Sequence, residues 1–118
     1  MATASSLTAS GRDNAYDNIA ASTTDSILVA AVAGRKIRVL SIVINEGDTT
    51  PSSVTFNTKP AGSGTSIYPV LKAAANGGFV IPENPFGWFE TGVGEGLSVT
   101  TGAGSATSVA VTYALVNP

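Results

Sequence analysis

The chain has 118 residues, of which 43% are hydrophobic and only 12% are charged, and its formal net charge is −2. This length suits one domain. Histidine and cysteine are absent, which removes the usual catalytic base, the thiol nucleophile and the common ligands of transition metals. The sequence also lacks the broad basic surface that nucleic-acid binding needs and an apolar run of membrane-spanning length. We expect no enzyme, no cofactor, no metal site, no nucleic acid and no membrane. A weakly charged surface favours association with other protein chains.

The N-terminal part of the chain is small and polar, with Leu7, Tyr16 and Ile19 as its sizeable apolar residues. Such a composition cannot bury enough surface to fold alone. Two interpretations remain open: a disordered tail, or an extended arm that lies on a neighbouring subunit with these three side chains as anchors. We divide the chain into an N-terminal arm of residues 1–24 and a folded domain of residues 25–118.

The remainder of the chain alternates between short apolar runs and turn residues, a pattern typical of strands. The run at 65–75 fits either a strand leading into an Asn-Gly turn or a short helix that stops at glycine. We favour the strand because strands flank it on both sides. The strand candidates are residues 26–32, 36–45, 53–58, 65–75, 79–81, 86–89, 97–99 and 107–116. About eight antiparallel strands without a helix predict an all-β, jelly-roll-like β-sandwich.

The second strand candidate carries apolar side chains on both faces from its middle onward. Leu40, Ile42 and Ile44 lie on one face, while Ile37 and Val39 lie on the other. A strand at the surface of a sandwich should show one polar face. Either a bulge switches the alternation, or a second subunit covers one face. We expect the first three residues to lie in a subunit interface.

The aromatic side chains are concentrated in residues 77–101, which hold the only tryptophan and three of the four phenylalanines. Aromatic side chains bury the largest apolar areas, so this stretch should supply much of the core. Alternation places Trp88 and Phe89 on opposite faces of one strand. Both can be buried only if another chain covers one face, and we therefore predict both residues at an interface. The glycines at 92–96 precede a strand, which indicates a turn and not a phosphate-binding loop.

Two rivals to a purely structural role remain open. A glycan-binding module would expose Trp88 or Tyr68 as a stacking platform. A glycan hydrolase would need two carboxylates facing each other across a cleft, and Glu83 and Glu90 are the available pair in the aromatic stretch.

Several short motifs resemble those of small jelly-roll virion proteins of tailed bacteriophages. They are IYPVL at 67–71, AANGGFVIP at 74–82, NPFGWFET at 84–91 and GEGL at 94–97, together with Tyr113. The chain is similar to head decoration (cement) proteins over roughly its last two-thirds, and the N-terminal segment lies outside the similarity.

The resemblance implies a homotrimer that is assembled in the host cytoplasm, sits on the capsid exterior, binds the major capsid protein and stabilises the head. The alternative that it leaves open is a tail, neck or fibre module that binds a host-surface glycan or another virion protein. It implies no catalytic residue.

Overall fold

The structure, a computed structural model, describes the backbone of residues 3–7 and all atoms of residues 11–118. The regular elements of this part of the chain are β-strands. In chain order they are β1 (Thr3–Leu7), β2 (Arg12–Ile19), β3 (Ser26–Val29), β4 (Lys36–Asn45), β5 (Ser52–Lys59), β6 (Thr65–Ser66), β7 (Leu71–Ala73), β8 (Gly78–Ile81), β9 (Phe89–Glu90), β10 (Gly96–Thr101) and β11 (Thr107–Val116).

The strands form two antiparallel sheets that pack face to face. The larger sheet has the order β1-β2-β11-β4-β8, with β9 also paired to β4. The smaller sheet has the order β3-β10-β5-β6, with β7 also paired to β5. When β1 and the two-residue strands β6 and β9 are set aside, four strands remain in each sheet. The chain crosses between the sheets at every step except from β5 to β7, which is the winding of a jelly roll. The predicted all-β sandwich of about eight antiparallel strands is confirmed.

The core lies between the sheets and is built from the inward side chains of both. Phe56 is fully buried at its centre. Phe89 packs against it with a ring-centroid distance of 5.3 Å and against Tyr68 at 4.7 Å. Phe89 is therefore a core residue of its own chain, and its predicted place at a subunit interface is wrong. Aliphatic side chains from β4, β10 and β11 fill the rest of the core.

A β-bulge interrupts the pairing of β4 with β11. Thr112 pairs with Ser41, whereas the next residue, Tyr113, pairs with Val39. Leu40 is therefore an extra residue on β4, and it reverses the alternation of side chains between the two ends of the strand. Inward residues fall at odd positions before the bulge and at even positions after it.

The two apolar faces of this strand are therefore explained by a bulge and not by a second subunit. The predicted interface role of the β4 residues is wrong. Ile42 and Ile44 are buried in the chain's own core. Leu40 is buried as well, apart from the main core cluster. None of the three is available to a second subunit while the domain is folded.

The structure also corrects the boundary at residue 24. Residues 12–19 form β2, which pairs along its whole length with β11. Its inward side chains, Ala15 and Ile19, are buried in the core, so Ile19 does not anchor an arm on a neighbour. Leu7 ends β1, whose backbone pairs with β2. The anchoring role of the Leu7 side chain lies outside the described side chains and stays a prediction.

Candidate binding surfaces

Acidic side chains nowhere form a group of three or more that could hold a metal ion in the part of the chain that the structure describes. The same residues include no helix long and apolar enough to cross a lipid bilayer. The surface features that stand out are an aromatic turn beside the bulge of β4 and the outer face of the larger sheet.

The aromatic turn comprises residues 82–88, and its own hydrogen bonds fix its shape. The Asn84 side chain accepts a hydrogen bond from the Phe86 amide at 3.1 Å and donates one to the Gly87 carbonyl at 3.2 Å. The Gly87 amide donates in turn to the Asn84 carbonyl at 2.8 Å. An asparagine that bonds its own turn in this way holds the backbone in one conformation.

The aromatic turn is also tied to the bulge of β4. The Asn84 amide donates to the Leu40 carbonyl at 2.9 Å, and the Trp88 amide donates to the Val39 carbonyl at 2.8 Å. The Trp88 indole N–H donates to the Pro82 carbonyl at 2.9 Å. The bulge thus supplies acceptors for the turn, which is seated on the sheet rather than free in solvent.

Glycine is required at the apex of the turn for two reasons. Gly87 has a φ of +85°, a conformation that L-residues with a side chain rarely adopt. A Cβ atom at this position would also collide with the side chain of Arg38. The backbone can therefore approach β4 closely, and the apex leaves Phe86 85% exposed and Trp88 39% exposed. Phe86 and Trp88 are therefore exposed together on a turn whose shape is fixed.

The second surface, which we call the tyrosine face, is the outer side of the larger sheet. One row of directly opposed residues crosses four strands: Tyr16, Ala110, Val43 and Val80. Tyr16 is 55% exposed, Val43 43% and Val80 63%. Such a row of exposed apolar side chains on adjacent strands is a contiguous patch rather than scattered single residues.

Polar but uncharged residues flank the row on both sides. Thr112 pairs with Asn14 and Ser41, and Ser108 pairs with Asn18 and Asn45. The Thr112 hydroxyl donates to Asn14 Oδ1 at 3.0 Å, and the Ser108 hydroxyl donates to Asn18 Oδ1. In the described part of the sheet, these three rows contain no charged side chain. Two hollows of about 280 and 270 Å³ adjoin Tyr16 on this face.

Charged residues begin at the next row, beyond the bulge. Ala114 pairs there with Arg12 and with Arg38. Arg12 forms an ion pair with Glu83 at 3.1 Å, and Arg38 Nε donates to Glu90 at 2.7 Å. Both glutamates considered for a catalytic pair are therefore engaged with cations at the sheet surface, an arrangement typical of structural ion pairs.

The predicted interface residues separate into three groups. Tyr16 and Trp88 are exposed, and each belongs to one of the two surfaces. The side chain of Leu7 lies outside the described ones. Those buried inside the chain are Ile19, Leu40, Ile42, Ile44 and Phe89. The sequence reasoning missed Phe86, Val43 and Val80. Val43 would have followed from alternation had the bulge been known, Val80 follows from alternation between Phe79 and Ile81, and Phe86 follows from the turn signal at 82–85.

Comparisons with known proteins give a loose likeness in fold. No family model and no curated protein sequence matches the chain. A solved cupin domain of Cnp3 from Schizosaccharomyces pombe is 14% identical with a TM-score of 0.45, and the match covers 98% of this chain and 60% of that one. This chain thus spans less than two-thirds of the length of that domain.

Two further solved structures are more distant. A CBM4 structure is 18% identical with a TM-score of 0.36, covering 91% of this chain and 76% of that one. A chain from the structure of the Gx strain of infectious bursal disease virus is 17% identical with a TM-score of 0.29, covering 95% and 33%. These likenesses concern the general β fold and indicate neither a ligand nor a partner.

Proposed function

We propose that this protein is a structural virion protein, a homotrimer on the exterior of a tailed-bacteriophage head. It is assembled in the host cytoplasm, binds the major capsid protein and stabilises the shell as a decoration or cement protein. The observation that carries the proposal is the aromatic turn, in which a hydrogen-bonded backbone presents Phe86 almost fully to solvent. Residues 84–91, one of the motifs from which we inferred a resemblance to head decoration proteins, overlap this turn.

The aromatic turn is suited to bind a protein surface. Burying a phenylalanine side chain contributes about 1.5–3 kcal/mol, and large aromatic residues dominate binding energy at protein interfaces. Ordering a loop on binding would oppose this gain. Here the hydrogen bonds of Asn84 and Trp88 already hold the turn, so little conformational entropy remains to be lost.

The mechanism of stabilisation is mass action. A protein that binds the assembled shell but not its separated subunits favours the assembled state by an amount set by its concentration and affinity. Each bound copy must be released before the capsid subunits beneath it separate. Such a role requires a rigid domain and a contact surface, and it requires no reactive side chain, which suits a chain without histidine or cysteine.

The test is head binding by a Phe86→Ser variant. Heads that lack the protein are incubated with purified wild type or variant and sedimented, and the bound fraction is titrated. We expect the variant to bind about tenfold or more weakly, because the lost apolar burial corresponds to at least one factor of ten in affinity. Heads loaded with wild type should also disassemble at a higher temperature than bare heads.

The matched control is Val70→Ser, which changes a 53% exposed apolar residue between β6 and β7 and should leave binding unchanged. Equal binding by wild type and Phe86→Ser would remove the aromatic turn from the contact. Light scattering tests the trimer separately, with an expected mass three times that of the 11.8 kDa chain.

A further inference from the structure

We propose that the tyrosine face binds a neutral glycan, with the Tyr16 ring as the stacking platform and the side-chain amides of Asn14 and Asn18 as hydrogen-bond donors. The proposal is independent of the proposed function, because the aromatic turn and the tyrosine face share no residue. A protein that fails to bind heads can still bind the glycan.

The Tyr16 ring stands where a sugar ring can approach it. Its cross-strand neighbours are Ala110 on β11 and Thr3 on β1, and the residue beyond Ala110 in the same row is Val43. These residue types are small, and the ring is 55% exposed. The C–H groups of a sugar ring pack against the electron-rich face of an aromatic ring. The two hollows beside Tyr16, of about 280 and 270 Å³, provide room for the sugar on either side.

Two amide groups are oriented to donate hydrogen bonds beside this ring. Asn14 and Asn18 lie two residues before and after Tyr16 on β2, so their side chains emerge on the same face. The hydroxyls of Thr112 and Ser108 donate hydrogen bonds to the Oδ1 atoms of Asn14 and Asn18, respectively. Among the described side chains none bonds the Nδ2 groups, which lie as donors about 7 Å along the strand on either side of the tyrosine. Sugar hydroxyl oxygens are acceptors for such donors.

The charge of the face selects for a neutral ligand. The three rows around Tyr16 contain no lysine or arginine among the described residues, and recognition of an acidic polysaccharide would need positive charge there. They contain no carboxylate either. The hydroxyls of Ser41, Ser108 and Thr112 are uncharged as well, and Asp17, which lines one of the two hollows, would repel an acidic ligand.

The experiment is affinity gel electrophoresis of the full-length protein through native gels that contain one polysaccharide each. The neutral probes are laminarin, xyloglucan, galactomannan and dextran, and the charged probe is alginate. We expect retardation by at least one neutral probe and none by alginate. Tyr16→Ala should lower the affinity about tenfold or more, whereas Tyr16→Phe, which keeps the ring, should bind within about threefold of wild type.

A second pair of variants tests the donors without a large change of shape. Asn14→Asp and Asn18→Asp replace each Nδ2 donor by an acceptor and should weaken binding severalfold. Asn117→Asp adds the same charge at an exposed site near the C-terminus and should bind as wild type does. Circular dichroism and unfolding midpoints establish that every variant is folded.

Three results would overturn the proposal. One is the absence of retardation by all four neutral probes. Another is retardation that persists undiminished in folded Tyr16→Ala. The third is an oligomer whose mass falls when Tyr16 is changed to alanine, which would assign the face to a second copy of the chain. The Phe86→Ser variant should retain glycan binding, so failure of the head-binding experiment is distinguishable from failure of this one.

Discussion

Tyr113 shows how burial on β11 affects a single ionisable side chain. It faces the core and is buried, and its partner across the strand pair is Asp13. Burial raises the pKa of the Tyr113 hydroxyl, and the negative charge of Asp13 raises that pKa further. Both causes act in the same direction because each disfavours the tyrosinate anion.

This raised pKa predicts a loss of stability in alkali. An unfolded tyrosine has a pKa of about 10, so above this pH the unfolded chain releases a proton that the folded chain keeps. Ionisation then favours the unfolded state. The contribution of the un-ionised Tyr113 to the stability of the fold is complete below pH 10 and is lost as the pH rises through the pKa of the folded state. The Tyr113→Phe variant should therefore lose less stability than wild type between pH 8 and pH 11, as measured by urea unfolding midpoints.

Tyr16→Phe is the matched control, because it removes a hydroxyl from a half-exposed tyrosine on the outer face. This variant should lose as much stability as wild type between pH 8 and pH 11. If Tyr113→Phe also loses as much stability as wild type, Tyr113 is not the group responsible.

Glu46 marks a limit of sequence reasoning at the residue scale. The polar run 46–52 predicts a solvated loop, yet the Glu46 side chain is fully buried. Its Oε1 accepts a hydrogen bond from the Asp48 amide at 2.6 Å, and its own amide donates to the Gly77 carbonyl at 2.7 Å. Its backbone partner Gly77 lies some thirty positions away in the chain, and local composition carries no signal for such a contact.

At the scale of the element, the aromatic turn depends on one side chain for its shape. Asn84→Ala removes the hydrogen bonds to the Phe86 amide and the Gly87 carbonyl while leaving Phe86 in place. We expect severalfold weaker head binding, because the turn must then be ordered on contact. The unfolding free energy should fall by only about 1 kcal/mol, since the turn is outside the core. The Phe86 amide should exchange faster with deuterium.

Asn84→Asp is the graded control for this change. It keeps Oδ1 as the acceptor for the Phe86 amide and removes only the donor to Gly87, so its head binding should fall between those of wild type and Asn84→Ala. Faster exchange at Phe86 together with unchanged head affinity would show that the fixed shape of the turn does not contribute to binding.

The elements that the sequence predicted best are those whose signal is local. β11 alternates inward and outward residues along its length, as predicted. Residues 65–75 were predicted as one strand before an Asn-Gly turn; they form two short strands, β6 and β7, separated by residues 67–70. Asn76 adopts the positive φ that such a turn needs. The opposite orientations of Trp88 and Phe89 were also predictable from alternation.

The bulge at Leu40 could not be placed in this way. An extra residue is defined by the strand that it fails to pair with, and β11 lies about seventy residues downstream of β4. The pattern of two apolar faces indicated either a bulge or a partner chain. Long-range pairing decides between these explanations, and with it the identity of the outward residues on the tyrosine face.

For the whole molecule, the placement of β2 determines how much of the N-terminus the fold needs. β1 lies at the edge of the larger sheet and pairs with β2 alone, whereas β2 lies between β1 and β11. Residues 12–19 read as polar because their inward positions, besides Ala15 and Ile19, carry Asp13 and Asp17, and their outward positions carry Arg12, Asn14, Tyr16 and Asn18. Composition alone could not distinguish such a strand from an arm.

Two truncations test this placement. Deleting residues 1–10 removes β1 and should leave the jelly roll intact, with a thermal midpoint within about 8 °C of that of wild type, the shift expected for about 1 kcal/mol in a domain of this size.

Deleting residues 1–24 also removes β2, uncovers the edge of β11 and takes Ala15 and Ile19 from the core. We expect this variant to be insoluble or unfolded by circular dichroism. A folded protein with a sharp unfolding transition would show instead that β2 is dispensable and that residues 1–24 act as an arm. Head binding by the variant that lacks residues 1–10 then tests the contribution of this segment, Leu7 included, because that variant keeps both the aromatic turn and the tyrosine face.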